Sequence, residues 1–341
     1  MEMFRVGTRG SRLALTQTTT AADELSVHSD LPYELITIRS EGDVLTGPLA
    51  QMGGTGVFAT ALRQALFDQT CDVAVHSLKD LPAKDLEGLT IASIPAREDV
   101  RDALCSAGDL PLAELPEGAK VGTGSPRRAA QLLAARPDLE IVDIRGNVGT
   151  RLARVRGRED AAENSPQAPD AQRGDLDAVV LAGAGLRRLG LEKHISELLG
   201  PEVMLPAPGQ GALAVEVRDA DAGLGSPLGQ ALALMDDIPA RLEATAERAL
   251  LERLNAGCSA PIGGHAVFSD EPDGGSVLRL DTVVCALDGS QVQRAGAEIP
   301  LEAGAPKETA VELARGLGRQ VAEQLLAEDF GLLKHVTGSS D

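Results

Sequence analysis

Over the first two thirds of the chain, short apolar runs alternate with stretches whose apolar positions recur about every 3.6 residues. The runs at residues 4–8, 33–38 and 71–75 predict buried strands, and the periodic stretches at 11–25 and 58–67 predict helices. Strands that alternate with helices form mostly parallel sheets, because each helix carries the chain back to the same sheet edge. The pattern therefore predicts an α/β fold.

The opening strand and its turn recur later in the chain. Val-Gly-Thr leading to a Gly-Ser turn occurs at residues 6–11 and again at 121–125, and the strand at 72–75 is echoed at 177–180. Two echoes in the same order predict two domains of one topology. We therefore expect a hinged two-lobe frame with a ligand between the lobes.

The last third of the chain has a different pattern. A helix is predicted over residues 237–254, ended by Gly257 in the left-handed conformation that glycine favours. An Asp-Gly turn at residues 288–289 between two alternating runs predicts a hairpin, and a final helix is predicted over Lys307–Leu326. We expect a small α+β domain with an antiparallel sheet, and Cys258 lies on the loop that enters it.

These patterns divide the chain into three predicted domains. A single core rarely serves as many as 341 residues, so more than one domain is expected. The first lobe is predicted to take residues 1–96 and 207–230, the second lobe residues 97–206, and the third domain residues 235–341.

The charge of the chain argues against two classes of partner. Its 51 acidic and 32 basic residues give a formal net charge of −19. Nucleic acids and anionic membranes bind basic surfaces, so we expect neither as a partner. An acidic surface with few lysines also suits high salt, where the Debye length falls to about 3 Å at 1 M. A protein that is merely acidic is the alternative.

Cysteine spacing and the N-terminus bear on the cellular compartment. The cysteines, Cys71, Cys105, Cys258 and Cys285, are far apart and show no zinc-type spacing, so no metal is expected. No signal peptide is visible, and no apolar run is long enough to span a bilayer. We expect a cytoplasmic monomer with reduced thiols.

Arginines gather at one kind of position in this acidic chain. They stand where a predicted strand ends or a predicted helix begins, at Arg9, Arg127, Arg128, Arg145, Arg151 and Arg188. Such positions meet at the cleft of a two-lobe α/β frame, where helix N-termini also favour anions. Since guanidinium groups bind carboxylates and phosphates in bidentate geometry, we expect a basic cleft for a small polyanion.

Two further stretches carry candidate chemistry. Lys79 and Asp80 follow a buried strand at the sheet edge where α/β proteins bind ligands; a surface ion pair is the alternative, and His76 is interpreted as structural. Cys258 stands on a Gly/Ser/Pro-rich loop, either as a small buried thiol or as a covalent attachment point. The residues alone leave these alternatives open.

Taken together, six motifs resemble the porphobilinogen deaminase, or hydroxymethylbilane synthase, family. They occur in order over nearly the whole chain, which makes the resemblance specific. They are Gly7–Ser11, His76–Pro82, Gly122–Arg128, Arg145–Arg151, Leu205–Gly211 and the loop at Gly257-Cys258.

The resemblance implies a fold and an activity. The first two domains are expected to be similar to type II periplasmic binding proteins. The expected activity is that of a transferase which condenses four porphobilinogen units head to tail, with loss of ammonia, into hydroxymethylbilane for haem biosynthesis. The expected cofactor is dipyrromethane, made from porphobilinogen and joined by a thioether to Cys258. Each pyrrole carries acetate and propionate groups, so this substrate is the polyanion that the arginines require.

The resemblance also assigns roles to residues. Asp80 is the expected catalytic carboxylate, which stabilises the cationic azafulvene formed as ammonia leaves. The cofactor side chains are expected to be held by Ser77, Lys79, Thr123, Ser125, Arg127 and Arg128. The incoming porphobilinogen and the growing chain are expected to be held by Arg9, Ser11, Arg145, Arg151 and Arg188.

One stretch departs from the family pattern. Gln51 and Thr55 stand where many relatives carry lysine. With two cations absent from this glycine-rich loop, we expect a looser hold on the elongating chain. Unchanged retention of intermediates in a Gln51→Lys, Thr55→Lys variant would count against this expectation.

Two other functions are consistent with parts of the sequence. A non-enzymatic carboxylate-binding or effector-sensing protein on the same frame would account for the lobes and the arginines, but not for the third domain or Cys258. A thiol-nucleophile transferase of another kind would need a base near Cys258, for which His265 is the nearby candidate.

Overall fold

The computed structural model of the chain describes residues 3–38, 57–158, 161, 174–257, 260–271, 275–302, 304–328 and 331–333. Gln51, Thr55 and Cys258, which were singled out from the sequence, lie outside the described residues.

The described residues form three sheets with helices packed on them. The strands are β1 (Phe4–Thr8), β2 (Tyr33–Thr37), β3 (Val73–Ser77), β4 (Leu89–Ser93), β5 (Asp102–Ser106), β6 (Lys120–Gly122), β7 (Glu140–Val142), β8 (Ala178–Ala182), β9 (Glu197–Leu198), β10 (Leu213–Arg218), β11 (Ile262–Asp270), β12 (Ser276–Cys285) and β13 (Val292–Leu301). The α-helices are α1 (Arg12–Ser29), α2 (Val57–Phe67), α3 (Pro126–Ala135), α4 (Val148–Leu152), α5 (Gly183–Arg188), α6 (Pro227–Met235), α7 (Ile238–Arg253) and α8 (Lys307–Ala327).

The first sheet has the strand order β2-β1-β3-β10-β4. Strands β1, β2 and β3 are parallel, and β10 runs antiparallel to both β3 and β4. Alternate side chains of a strand point to opposite faces. On one face, Phe4, Val6 and Val215 pack with α1 and α6, and on the other, Ala74 packs with Leu62 of α2. Both faces are covered, which is why these strands read as continuous apolar runs.

The second sheet repeats this arrangement. Its order is β7-β6-β8-β5-β9, with β6 parallel to both β7 and β8 and with β5 antiparallel to β8. The repeated Val-Gly-Thr stretches lie at β1 and β6, and the repeated Asp-led stretches lie at β3 and β8. The antiparallel strand inside each sheet, β10 in the first and β5 in the second, is the first strand formed after the chain has crossed from the other sheet. The predicted pair of hinged α/β lobes is therefore confirmed. The exact domain limits stay a prediction.

The third unit is an antiparallel sheet of order β11-β12-β13 with α7 and α8 packed on it. Leu250, Leu278, Leu280, Leu317 and Val321 are buried between the helices and the sheet. The predicted hairpin and final helix are both present, and β11 is an additional strand that the sequence did not predict. This unit is the small α+β domain expected from the pattern.

The end of α7 differs from the prediction. The left-handed residue is Asn255, at φ 49°, and not Gly257. The amide of Ala256 donates to the carbonyl of Leu251 at 3.0 Å, and the amide of Asn255 donates to Glu252 at 3.0 Å. This is a helix C-terminal turn built on asparagine, which tolerates the left-handed region better than other non-glycine residues do. The helix therefore ends at Arg253, before the position predicted from Gly257.

The chain crosses between the lobes at residues 95–99 and 207–211, and these two segments are called the hinge below. A buried carboxylate joins the hinge to the third unit. Glu247 of α7 is fully buried and accepts hydrogen bonds from Arg97 at 2.9 and 2.8 Å, from the amide of Gly209 at 2.6 Å and from the amide of Ala266 at 2.8 Å. Arg97 also donates to the carbonyl of Gln210 at 2.9 Å. Residues from both hinge segments and from β11 are thus held by one side chain.

Candidate active site

A cavity of about 90 Å³ lies at the carboxyl ends of β1 and β3. Four of the predicted site residues, Arg9, Ser11, Ser77 and Asp80, line it. They meet because β1 and β3 are adjacent parallel strands, so that the loops that follow them leave the sheet at the same edge. Ser11 also caps α1, since its Oγ accepts from the amide of Ala14 at 3.2 Å.

Lys79 is turned from this edge toward the hinge. It lies in the short helical turn Leu78–Asp80, and its Nζ donates to Oε1 of Gln210 at 3.2 Å. Burial lowers the pKa of Lys79 to about 8; Arg128 and Arg127 lower it further, and Asp80 and Asp102 oppose them. Lys79 is therefore tied to the hinge by this hydrogen bond.

Arg127 and Arg128, in the first turn of α3, share one carboxylate. Nη1 of Arg127 lies 2.8 Å from Oδ2 of Asp102, and Nη2 of Arg128 lies 2.8 Å from Oδ1. Burial alone would raise the pKa of Asp102, but the two guanidinium groups outweigh it and hold this pKa well below its ordinary range. The two arginines also donate to the carbonyls of Leu205 and Val180. Both arginines are buried and held in place. Together they carry two positive charges, of which Asp102 neutralises one.

The turn before α3 carries the two predicted hydroxyl residues. The amide of Ser125 donates to Oγ1 of Thr123 at 3.2 Å. Ser125 occupies the N-cap of α3, but its hydroxyl makes no capping hydrogen bond. The turn is close to the end of β7, because a Cβ on Gly124 would lie 2.6 Å from the carbonyl oxygen of Ile144. The hydroxyl of Ser125 therefore stands at a helix N-terminus, where an anion is favoured.

Arg145 and Arg151 extend the positive region along the second lobe. Asn147 caps α4 by accepting from the amide of Thr150 at 2.9 Å, which places Arg151 near the end of this short helix. Burial lowers the pKa of Arg151 to about 10, the positive charges of Arg128 and Arg145 lower it further, and Asp143 and Asp80 oppose them. The charges on Arg151 and Asp80 thus interact across the two lobes.

Arg188 lies apart from this group. It is at the end of α5, and its Nη2 donates to the carbonyl of Gly211 in the hinge at 2.7 Å. Burial lowers its pKa, and Glu98 opposes the shift. The structure therefore places Arg188 at the hinge, and its hydrogen bond to the hinge is a feature that the sequence did not predict.

Two residues of the site were missed from the sequence. Asp102 and Gln210 link the lobes, because Nε2 of Gln210 donates to Oδ1 of Asp102 at 2.9 Å. Gln210 lies in the Leu205–Gly211 motif, but it was given no role of its own, and Asp102 was not singled out from the sequence. One available signal was the carboxylate at the start of the buried strand β5, since a fully buried aspartate needs a cationic partner.

A second, larger cavity does not coincide with this site. It measures about 230 Å³ and lies between the first lobe and the helices α7 and α8. None of the predicted site residues lines it, whereas Arg63 and Glu216 do. Within the described ranges, no group of three or more His, Cys, Asp or Glu side chains could hold a metal ion, and no helix is both long and apolar enough to cross a membrane.

Two family models match the chain. One is described as porphobilinogen deaminase, dipyromethane cofactor binding domain, and matches residues 4–225. The other is described as porphobilinogen deaminase, C-terminal domain, and matches residues 241–327. The chain belongs to the porphobilinogen deaminase family. The second match favours an enzyme of this family over a non-enzymatic two-lobe protein.

Relatives agree with this assignment over nearly the full length. The porphobilinogen deaminase of Micrococcus luteus is 54% identical over 357 aligned positions, covering 98% of this chain and 95% of that protein. The porphobilinogen deaminase of Cutibacterium acnes is 52% identical over 329 positions, covering 96% of this chain and 95% of that protein. Among solved structures, a periplasmic substrate-binding protein of an ABC transporter from Coxiella burnetii is 18% identical with a TM-score of 0.41, over 72% of this chain and 97% of that one.

The residues of the cleft fit the dipyrromethane cofactor named by the family model. This group carries an acetate and a propionate on each ring, so it needs several cations and hydroxyl donors. Burial and like charges lower the pKa of both Lys79 and Arg151. A polycarboxylate bound beside them would favour the charged form of both side chains.

Proposed function

We propose that the chain condenses four porphobilinogen molecules head to tail, with loss of ammonia, to give hydroxymethylbilane. The observation that carries the proposal is family membership over both family models, combined with a cation-lined cleft that faces Asp80. The enzyme is a transferase of tetrapyrrole biosynthesis, and its substrate is porphobilinogen.

The cofactor is dipyrromethane, and we assign its attachment to Cys258. When bound, it supplies the terminal pyrrole carbon on which the chain is extended. Hydroxyl and cationic groups at the two strand ends and at the start of α3 are assigned to hold its carboxylates. They are Ser77, Lys79, Thr123, Ser125, Arg127 and Arg128. Because Asp102 already orients both arginines, they offer fixed donors and lose little side-chain freedom on binding.

Asp80 is assigned the catalytic role. Ammonia leaves porphobilinogen with the electron pair of the C–N bond, which leaves positive charge delocalised onto the pyrrole nitrogen. A carboxylate about 4 Å from that charge, at an effective dielectric near 20, stabilises it by up to about 4 kcal/mol, or roughly a thousandfold in rate. Asp80 is exposed in the described cavity, so this figure is an upper bound for the substrate-filled site.

The incoming porphobilinogen and the growing chain are assigned to five other residues. Arg9 and Ser11 share the cavity with Asp80, and Arg145 and Arg151 lie in the positive region of the second lobe. Arg188 is included because the family resemblance assigns it this role, although its Nη2 donates to the carbonyl of Gly211 in the hinge. In this assignment each added unit brings two carboxylates, and the cleft meets them with arginines from both lobes.

We further propose that the protein works as a cytoplasmic monomer without nucleic acid or membrane partners. The net charge of −19 supports the exclusion of polyanionic partners. Activity that rises with molar salt would support the expected adaptation of the acidic surface to high salt, which also stays a prediction.

Intact-protein mass spectrometry of active, natively purified protein tests the attachment site. We expect the mass of the chain plus one two-ring adduct, located by peptide mapping at Cys258, and no adduct in a Cys258→Ser variant. An active protein whose Cys258 is unmodified would defeat this mechanism. A Cys105→Ser variant, altered at a buried cysteine, is the matched control and should keep the adduct.

A further inference from the structure

A buried trio of charged and polar side chains lies behind the substrate cavity. Nε2 of His76 lies 3.2 Å from Oε2 of Glu216. Arg63 holds the same carboxylate through Nε, at 3.1 Å from both oxygens, and through Nη2, at 2.8 Å from Oε1. The side chains of His76 and Glu216 are 5% and 2% exposed, and that of Arg63 is 10% exposed. The three residues come from β3, β10 and α2, so the trio exists only in the folded lobe.

His76 is placed to act in the substrate cavity. It lines the cavity together with Arg9 and Asp80, and it directly precedes Ser77 at the end of β3. Nε2 lies against the carboxylate of Glu216, without a hydrogen bond of good geometry, and no hydrogen bond from a described residue to Nδ1 is found. Nδ1 is therefore the ring nitrogen available to a ligand.

The charges around the ring favour its binding to a carboxylate. Glu216 faces the ring from β10, Arg63 stands behind Glu216 on α2, and Arg9 and Asp80 share the cavity. Burial alone would raise the pKa of Glu216, but its contacts with His76 and Arg63 outweigh burial and lower it, so this carboxylate stays ionised. With a proton on each nitrogen, the ring donates from Nε2 toward Glu216 and from Nδ1 into the cavity.

We propose that His76 is a substrate-binding residue whose Nδ1 donates to a carboxylate of the incoming porphobilinogen, and that Glu216, backed by Arg63, is the positioning residue that orients the ring. The inference rests on the proposed function, since the ligand it names is the substrate of that reaction. It replaces the interpretation of His76 as a purely structural histidine. The trio also explains why a lobe buries an arginine and a glutamate that no predicted role required.

Two measurements test the proposal on the holoenzyme. In steady-state kinetics with porphobilinogen, His76→Asn should raise KM roughly 10- to 100-fold, the range for loss of a hydrogen bond to a charged group, with kcat changed less than about threefold. Glu216→Gln should also raise KM with kcat changed less than about threefold, because the ring is no longer oriented toward the substrate carboxylate. A His76→Asn, Glu216→Gln double variant should then add little to the effect of His76→Asn alone, since the two residues act through one contact.

Glu243→Gln is the matched control. Glu243 is also a largely buried carboxylate paired with an arginine, at 3.2 Å from Arg97, but it does not line the cavity. It should leave the KM for porphobilinogen unchanged. The His76→Asn variant keeps the Arg63–Glu216 pair, so it is expected to fold even if Glu216→Gln is unstable.

The outcomes separate the inference from the proposed function. A wild-type protein that consumes no porphobilinogen defeats the proposed function. An active wild type whose KM is unchanged by His76→Asn, or in which the effects of His76→Asn and Glu216→Gln on KM simply add, overturns the inference alone.

Discussion

Gln210 donates from Nε2 to Oδ1 of Asp102 at 2.9 Å, and this contact connects a hinge segment to the start of β5. The same amide accepts from Lys79 of the first lobe at 3.2 Å, and Asp102 holds Arg127 and Arg128 of the second. A primary amide can donate and accept at once, so it can bridge a cation and an anion that would otherwise be misplaced. The orientation of the cleft cations from both lobes thus depends on one glutamine.

Replacing that amide should impair both stability and activity. Gln210→Leu keeps much of the volume but removes the donor to Asp102, which is fully buried. A hydrogen bond to a charged group contributes about 1.5–3 kcal/mol, so we expect urea denaturation to show a loss of about 2 kcal/mol in the free energy of unfolding. We expect kcat/KM for porphobilinogen to fall roughly tenfold or more, because Lys79 and the arginines are no longer aligned.

The exposed Gln230 is the control for this change. Its Nε2 donates to the carbonyl of Leu224 at 3.0 Å. Gln230→Leu should change the free energy of unfolding by less than about 0.5 kcal/mol. Equal effects of the two substitutions would show that the bridge at Gln210 has no special role.

Lys79 should lose its charge at a lower pH than an ordinary lysine. Its pKa is lowered from 10.5 to about 8, chiefly by burial. Between these two values the unfolded chain binds more protons than the native protein, so this group makes the free energy of unfolding rise with pH across that window. Over the same window, Lys79 loses the positive charge that its assigned role requires.

Amine labelling followed by mass spectrometry measures this titration. In the Cys258→Ser variant, which should lack the cofactor, labelling of Lys79 should rise with a midpoint near pH 8. Lys84, an exposed lysine on the next loop, is the control for access of the reagent. A Lys79 midpoint near its ordinary value of 10.5 would contradict the effect of burial. In protein that carries the cofactor, the midpoint of Lys79 should rise, because bound carboxylates favour the ammonium form.

Local patterns predicted the positions of the cleft residues better than their partners. Arg127 and Arg128 were placed at a helix start because Pro126 and the preceding Gly-Ser turn mark one. Their shared partner, Asp102, is 25 and 26 residues away in sequence, and the contact exists only because β5 enters the second sheet antiparallel to β8. Spacing in sequence carries no information about such a pairing.

The third unit shows the same limit. Alternating runs around residues 288–289 were enough to predict the hairpin of β12 and β13, because its register is local. The role of Glu247 was not predictable, since it lies on the apolar side of α7 and its partners come from the hinge and from β11. A buried carboxylate inside a helical stripe is a signal for such a partner, but it does not say which residue the partner is.

Asp80 should be essential for turnover and dispensable for folding. Asp80→Asn preserves shape and removes the negative charge from an exposed position. We expect the rate of porphobilinogen consumption to fall by about a thousandfold, the upper range of its electrostatic contribution, with an unchanged denaturation midpoint. Asp85→Asn, at another exposed aspartate five residues later, should retain activity. An Asp80→Asn variant with more than about a tenth of wild-type activity would remove Asp80 from the catalytic role.

Glu247, in contrast to Asp80, should contribute strongly to the stability of the protein. Glu247→Gln leaves Arg97 buried beside a neutral amide and replaces one acceptor of the amides of Gly209 and Ala266 with a donor. Breaking a buried ion pair by removing one partner costs about 3–5 kcal/mol, so we expect urea denaturation to show a loss of that size. The third unit should also loosen from the hinge, which hydrogen exchange at Ala266 would report. Glu252→Gln, on an exposed position of the same helix, should change stability by less than about 0.5 kcal/mol. If both variants unfold at the same urea concentration, Glu247 does not hold the three units together.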